Sequence, residues 1–254
     1  MKNNKAILRT QILGILASAV FLFAPQSRAL PVLQLGIGGG EYDSGTQTIV
    51  TQDPNFTLYA YGKTGTSGVD TSIQHYISIA LSPKTGPTAP ADIGSFDFSG
   101  ACGDGTCEIG DMTFGTPPLE GGSAETDSND LASHGIFETF FVEIGFYFDP
   151  NHTTSTVNTQ DYPGFVPTDL GSGGDLYFMA FEVDASNLLS GYELHFDLYN
   201  QKVKNGRYGE NWGVDDFAPF SHDAAYVPEP GSLALMALGL LGFRFGRRKR
   251  FNNR

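Results

Sequence analysis

Between residues 30 and 226 the apolar side chains fall into short alternating runs, which glycine, proline, asparagine and aspartate separate. The clearest run spans residues 193–200, where Leu194, Phe196 and Leu198 alternate with polar side chains. Because successive side chains of a strand point to opposite faces of a sheet, this spacing predicts a half-buried strand. Many such strands joined by turn residues predict an all-β fold, a β-sandwich of the jelly-roll-like or Ig-like kind.

The same pattern separates the individual strands from the loops. The predicted strands span residues 32–37, 46–51, 56–61, 74–81, 95–98, 112–114, 136–148, 176–183 and 193–200. Residues 82–90 and 115–130 are rich in proline, glycine, serine and acids, so we expect surface loops there. Long helices are expected at the two chain ends only. Residues 30–226 are therefore predicted to form one all-β domain with a sizeable core.

The first 29 residues have the three parts of a secretory signal peptide. Basic residues at positions 2, 5 and 9 precede an apolar run at 12–23, and Ser27-Arg28-Ala29 has small residues at both ends. This order predicts cleavage between Ala29 and Leu30, after export across the inner membrane. Residues 1–29 are thus a predicted signal helix that the mature protein lacks.

Residues 227–254 form a second predicted segment outside the β domain. Val227, Pro228, Glu229 and Pro230 come first, and an apolar run follows at 231–245. A basic cluster that includes Arg247, Arg248, Lys249 and Arg250 comes after this run. The run has 15 residues, fewer than the roughly 17–25 of a stable membrane span, and it predicts a short transmembrane helix. Because flanking Lys and Arg stay on the cytoplasmic side, everything before Pro228 is expected to lie outside.

The exterior part of the chain is strongly acidic. Residues 30–227 hold five of the 15 Lys and Arg residues and 27 of the 28 Asp and Glu residues, a net charge of −22. Such a domain repels nucleic acid and other anionic polymers, so we expect no nucleic-acid partner. The charge suits divalent cations, and it equally suits plain solubility in a salty exterior.

The two cysteines, Cys102 and Cys107, enclose an Asp-Gly turn. An exported chain meets an oxidising compartment, and the turn can bring the two flanks within disulfide distance. We therefore predict a local disulfide. A metal site built on two thiolates is the alternative, but the additional Cys or His ligands of a structural zinc site are missing nearby.

No catalytic site is predicted. The chain has no Gly-x-Ser-x-Gly elbow and no His-x-x-x-His pair, so no motif supports a serine hydrolase or a zinc hydrolase. On the strand at 193–200, Glu193, His195 and Asp197 share one face. This trio fits an acid–base or metal site, yet it also fits the solvated face of an amphipathic strand, which is the interpretation we favour.

The acidic loops also offer oxygen ligands for calcium. The candidate ligands are Asp97, Asp104, Glu108, Asp111, Asp215, Asp216 and Asp223. No segment has the acid spacing and glycine of the twelve-residue calcium loop, and we predict no cofactor on this basis.

The C-terminal segment resembles a known sorting signal. Val-Pro-Glu-Pro at 227–230, a short apolar helix and a terminal arginine cluster resemble the PEP-CTERM signal of Gram-negative and related bacteria. The resemblance implies recognition by a membrane exosortase, cleavage near 228–230, and release or transfer to another anchor in bacteria that make exopolysaccharide. A helix too short for a permanent span suits a segment that is removed.

The exterior domain is similar to the choice-of-anchor N proteins. The segments that carry this similarity are 33–35, 56–61, 134–141, 194–199 and 217–224. That group is defined by variable C-terminal anchors on a shared exterior domain, and it implies no activity. The last segment contains Ser221, His222 and Asp223, but chain neighbours rarely form a catalytic triad, so we expect a structural role there.

Two functions of different class follow. The first is a non-enzymatic surface or matrix protein, anchored in the membrane before processing, whose sandwich binds exopolysaccharide or other surface components. The second is a secreted hydrolase that acts on polysaccharide. We favour the first, because fold class does not decide between them and no catalytic motif supports the second.

Overall fold

The computed structural model describes residues 30–83, 85–117, 138–206, 209–219 and 222–228, without the side chains of 202–215. The predicted signal helix with Ala29, the residues Glu229 and Pro230, the predicted membrane helix and the basic cluster all lie outside the described residues. Within the described ranges, no helix has the length and apolar character needed to cross a membrane.

Nearly all regular structure in the described residues is β-strand. In chain order the strands are β1 (Leu33–Ile37), β2 (Glu41–Asp43), β3 (Thr48–Thr51), β4 (Asn55–Lys63), β5 (His75–Ser82), β6 (Phe96–Phe98), β7 (Thr106–Cys107), β8 (Thr113–Gly115), β9 (Thr139–Phe146), β10 (Thr153–Thr154), β11 (Leu176–Asp184), β12 (Glu193–Gly206), β13 (Gly209–Phe217) and β14 (Ala224–Tyr226). A short 3-10 helix, Ile109–Asp111, lies between β7 and β8.

The strands form two sheets. The first sheet has the order β1-β4-β11-β6-β7, and β10 pairs with β11. The second sheet has the order β2-β3-β14-β12-β5-β9-β8, and β13 pairs with β12. Neighbouring strands are antiparallel except for β3 and β14, which are parallel. This architecture fits the predicted all-β sandwich.

Aromatic and aliphatic side chains from both sheets meet in one core. Phe196 of β12 is fully buried, and its ring centroid lies 6.0 Å from that of Phe56 on β4 and 6.2 Å from that of Phe98 on β6. Ile77 and Ile79 of β5 are also fully buried in this core. Burial of each such side chain stabilises the fold by about 1.5–3 kcal/mol, so the alternating apolar residues of β5 and β12 hold the sheets together.

All predicted strands overlap strands of the structure, but five strands of the structure were not predicted from the sequence. They are β2, β7, β10, β13 and β14. Four of them have only two or three residues, too few to show a period of two. The fifth, β13, has the sequence GENWGVDDF, in which glycines and acids interrupt any alternation. Its pairing with β12 extends that strand to Gly206, beyond the predicted end at residue 200.

The two cysteines close the hairpin between β6 and β7. The Sγ atoms of Cys102 and Cys107 are 2.04 Å apart, and the Cα atoms 5.2 Å. Gly105 has a φ of +97°, a conformation that glycine adopts without steric cost. The Asp-Gly turn thus brings the two thiols together as a disulfide, which is the pairing expected from the sequence.

Candidate functional site

The face of β12 that points away from the core is polar but buried. Leu194, Phe196 and Leu198 point into the core, so His195 and Asp197 lie on the other face of the second sheet. The exposed fraction is 7% for His195 and 0% for Asp197. The preferred sequence interpretation, a solvated strand face, is therefore wrong at these two positions, because tertiary packing covers a face that the local pattern leaves open.

A third buried side chain joins this pair from the neighbouring strand. The antiparallel register pairs Phe196 with Ala224, and continued by one residue it sets Asp223 opposite Asp197. His195 Nε2 lies 3.2 Å from Asp197 Oδ1. One ligand atom from each of His195, Asp197 and Asp223 lies within 4.8 Å of the other two. We call these three residues the buried triad; their side chains are close enough to hold one metal ion.

Of the sequence trio, Glu193 does not join the buried triad. Its side chain is only half-buried, at the start of β12. Partial burial raises the pKa of the Glu193 carboxyl, and the nearby His195 opposes that rise. Two members of the predicted trio, His195 and Asp197, therefore belong to the buried triad, and Asp223 is its third member. The sequence offered Asp223 only as a calcium ligand, and no local signal could have placed it beside His195 and Asp197, because its proximity depends on the pairing of β14 with β12.

The polar row continues across the sheet to β5 and β9. Ser78 of β5 pairs with Asp197 on one side and with Glu143 of β9 on the other. Its side chain is fully buried, and its Oγ has no hydrogen-bond partner among the described residues. Glu143 is exposed, so the row runs from solvent at β9 into a buried centre at β12 and β14.

A tyrosine pair borders this row. The Tyr199 hydroxyl donates a hydrogen bond to the Glu143 carboxylate, and the Tyr199 ring stacks on that of Tyr76 with centroids 5.6 Å apart. Burial, followed by the charge of Glu143, raises the pKa of Tyr199. The hydroxyl therefore stays protonated and remains a donor to the carboxylate at neutral pH.

Replacing Tyr199 with phenylalanine is expected to lower the free energy of unfolding by about 1–2 kcal/mol, because a hydrogen bond to a charged acceptor is lost. Tyr76→Phe is the matched control. Its hydroxyl donates to the neutral amide oxygen of Gln74 at 3.2 Å, and its removal should cost about 0.5–1 kcal/mol. Urea unfolding at pH 7 measures both values, and equal costs would contradict a special contribution from Glu143.

Among the side chains that the structure describes, the acids proposed for calcium do not gather into one site. Asp97 accepts a hydrogen bond from the backbone N–H of Gly100 at 3.2 Å, and Asp104 accepts one from Thr106 at 2.9 Å. Asp111 accepts from the N–H of Glu108 at 2.9 Å in the capping box of the 3-10 helix. These carboxylates shape their own turns.

The remaining members of that set lie elsewhere. The backbone N–H of Asp216, in β13, donates to Asn200, while the side chain of Asp215 lies outside the described residues. Asp223 belongs to the buried triad. Among the described residues, the acids and histidine whose ligand atoms lie close together are thus those of the buried triad.

His222 and Asp223 are chain neighbours with different partners. His222 is buried, and its Nε2 lies 3.0 Å from Asn158 Oδ1, a contact that ties the loop around residue 158 to the end of the domain. Asp223 instead lies beside His195 and Asp197. The Ser-His-Asp run therefore has the expected structural character at His222, and Ser221 lies outside the described residues.

The last strand of the domain leads directly into the C-terminal segment. Strand β14 ends at Tyr226, and the N–H of Val227 donates to the carbonyl of Thr51 at 2.9 Å. Pro228, Glu229 and Pro230 follow at once, ahead of the apolar run and the basic cluster. This segment is a PEP-CTERM protein-sorting motif, matched over residues 227–250. PEP-CTERM motifs are recognised by exosortases, and they imply export to the cell surface or the exterior.

The motif match covers residues 227–250 and does not extend into the β domain. Comparison with characterised proteins and with solved structures gives no match. The similarity of the domain to the choice-of-anchor N proteins therefore stays a prediction. The PEP-CTERM motif therefore indicates where the protein is sorted, and its matched residues begin directly after the end of β14.

Proposed function

We propose that this protein is exported, sorted by an exosortase, and displayed at the cell surface or in the extracellular matrix. There its β-sandwich has a binding or structural role and catalyses no reaction. The observation that carries the proposal is the junction between β14 and the PEP-CTERM motif. The last strand lies inside the second sheet, between β3 and β12, and the motif begins at the next residue.

This junction suits processing. Cleavage near Pro228 to Pro230 would remove the apolar run and the basic cluster while it leaves in place every strand that the structure describes. The released product would keep the whole core. With the signal peptide also removed, it would keep only five of the 15 Lys and Arg residues, those that lie in residues 30–227.

The charge of the mature domain narrows its partners. At a net charge of −22 over residues 30–227, the domain repels a polyanionic polysaccharide at low salt. A neutral exopolysaccharide, or an anionic one bridged by divalent cations, fits this charge better. In either case the domain would act as a matrix component that contacts the polysaccharide through its acidic surface.

Cell fractionation with intact-mass measurement tests the sorting part. In cells that have the exosortase we expect a surface or secreted form that starts at Leu30 and ends between Pro228 and Pro230. In cells without it we expect the full C-terminal tail in the membrane fraction. A variant with alanine at 228–230 should behave like the exosortase-deficient strain, and Glu41→Ala, a change at an exposed acid of β2, serves as the control. Identical C-termini in all four samples would refute exosortase sorting.

The absence of catalysis needs its own assay. The purified protein is incubated with the exopolysaccharide of the producing cells, and reducing ends are measured over time. We expect no release above the buffer control, while a pull-down with the same polymer tests binding. Steady release of reducing sugar would instead establish the alternative, a secreted polysaccharide hydrolase.

A further inference from the structure

The geometry of the second sheet points to a metal site: we infer that His195, Asp197 and Asp223 together bind one zinc-type divalent ion. Two of the residues lie on β12 and Asp223 lies directly before the neighbouring β14, and all three are buried. A metal ion at this place would fasten the last strand of the domain to the centre of the second sheet. Such a role goes beyond sorting and surface display.

The spacing of the ligand atoms suits a small ion. Two ligands that each lie about 2.0–2.2 Å from a tetrahedral ion are about 3.3–3.5 Å from each other. His195 Nε2 and Asp197 Oδ1 are 3.2 Å apart, close to that separation. The third ligand atom is within 4.8 Å of these two, and a side-chain adjustment of about 1–1.5 Å would close the set around an ion.

Charge gives a physical reason for an ion. Asp197 and Asp223 have exposed fractions of 0% and 1%, and a cation between two carboxylates held away from water interacts with both more strongly than it would at the surface. A divalent cation between the two carboxylates balances both charges at once. The ion would take the place of the proton in the His195 Nε2–Asp197 Oδ1 contact, so the neutral imidazole would serve as the third ligand through its Nε2 lone pair.

Ser78 supplies an independent observation. Its hydroxyl is fully buried and has no hydrogen-bond partner in the described ranges, which is unusual for a buried polar group. Because Ser78 pairs with Asp197 across the β5–β12 ladder, its side chain lies on the same face as the buried triad. A metal ion, or a water molecule bound to it, would give this hydroxyl a partner.

The ligand types select the class of metal. Calcium takes six to eight ligands, all of them oxygen. Imidazole favours zinc and similar first-row ions, and zinc accepts carboxylate oxygens in the same four-coordinate shell. One imidazole nitrogen, two carboxylates and a hydroxyl or water therefore fit zinc better than the calcium suggested by the acidic composition.

Metal content and thermal stability of the protein purified from the cells that make it test the site. We expect about one zinc ion per chain by elemental analysis. Removal with a chelator should lower the melting temperature, and Zn²⁺ alone should restore it, by about 5–10 °C when free zinc is about 100 times its dissociation constant. Calcium at the same concentration should give no comparable rise.

Variants locate the ion. His195→Gln and Asp223→Asn should each abolish stoichiometric zinc and the zinc-dependent rise in melting temperature. Asp97→Asn, which changes an exposed acid of β6 in the first sheet, should retain both. Zinc retained by His195→Gln and Asp223→Asn would overturn the assignment to the buried triad.

The unaltered protein decides the matter even if these variants do not fold. Zinc-free protein titrated with Co²⁺ should develop the visible absorption of a four-coordinate cobalt site, and one equivalent of Zn²⁺ should remove it. No visible band, no zinc in the purified protein, or a rise in melting temperature with calcium and not with zinc would each overturn the inference.

Discussion

A chain that ends at His222 is expected to lose cooperative folding, whereas a chain that ends at Pro228 is expected to keep it. The difference is β14, which lies between β3 and β12 in the second sheet. It pairs in parallel with β3 and antiparallel with β12, so its removal leaves unpaired backbone groups on both neighbours. Two further bonds disappear, one from Ile49 N–H to the carbonyl of Asp223 and one from Val227 N–H to that of Thr51, each 2.9 Å long.

Packing adds to this loss. Ala224 and Tyr226 are buried, and the Tyr226 ring stacks on Phe56 of the opposite sheet with centroids 6.1 Å apart. Lost burial and lost hydrogen bonds together amount to about 5–10 kcal/mol, which is comparable with the whole stability of a typical domain, about 5–15 kcal/mol.

Circular dichroism and urea unfolding of the two truncated chains measure the effect. The chain ending at Pro228 is the matched control, because it lacks the same apolar run and basic cluster. It should unfold in one sharp transition, and the shorter chain should show none. The same midpoint for both chains would mean that β14 does not complete the sheet, and it would also weaken the argument that the sorting motif follows a finished domain.

Acidification from pH 7 to about 4 is expected to cost about 3 kcal/mol of stability through His75. His75 is fully buried on β5, where its Nδ1 lies 3.0 Å from the carbonyl oxygen of Ile73. Its ring packs against Phe146 and Phe148, at centroid distances of 5.9 and 4.9 Å. Burial lowers the pKa of His75 from 6.5 to about 4, and the Ile73 carbonyl and the charge of Asp70 only partly oppose this.

The sign follows from where the proton binds. The unfolded chain protonates this imidazole near pH 6.5, whereas the folded chain resists protonation until about pH 4. Between those values the unfolded state holds more protons, so stability is complete above about pH 6.5 and falls as the pH drops toward 4.

Urea unfolding at a series of pH values, for the wild type and His75→Phe, isolates this contribution. Many exposed carboxylates also titrate in an acidic domain, so the informative quantity is the difference between the two proteins. The variant should lose about 3 kcal/mol less than the wild type between pH 7 and pH 4. His152→Gln, which removes an exposed imidazole, is the control for a change of histidine content. Parallel pH curves for wild type and His75→Phe would contradict the buried neutral state.

The predicted strands show how far local patterns reach. Strands such as β5 and β12 carry an apolar residue at every second position, and this period identifies them without knowledge of their partners. Strand β14 has only the sequence AAY, and it is a strand because β3 and β12 pair with it on both sides. Short central strands of this kind depend on long-range hydrogen bonding, which no local window contains.

The candidate site shows the same division. His195 and Asp197 share a face because they are two residues apart, and the sequence alone places them together. That this face is buried, and that Asp223 and Ser78 adjoin it, depends on the neighbouring strands and their register. Sequence spacing therefore placed two members of the buried triad on one strand face, but it predicted the wrong solvent exposure for that face.

By itself the sequence determined the all-β class and the sorting address of this protein. A sorting motif is defined by the linear order of its prolines, apolar run and basic cluster, so it can be recognised without knowledge of the fold. Tertiary structure alone decided that residues 224–226 pair as a strand directly before that motif, and which polar side chains are buried together. Those properties arise from residues far apart in the chain, brought together by pairing between strands, and their free energies depend on burial that only the complete fold provides.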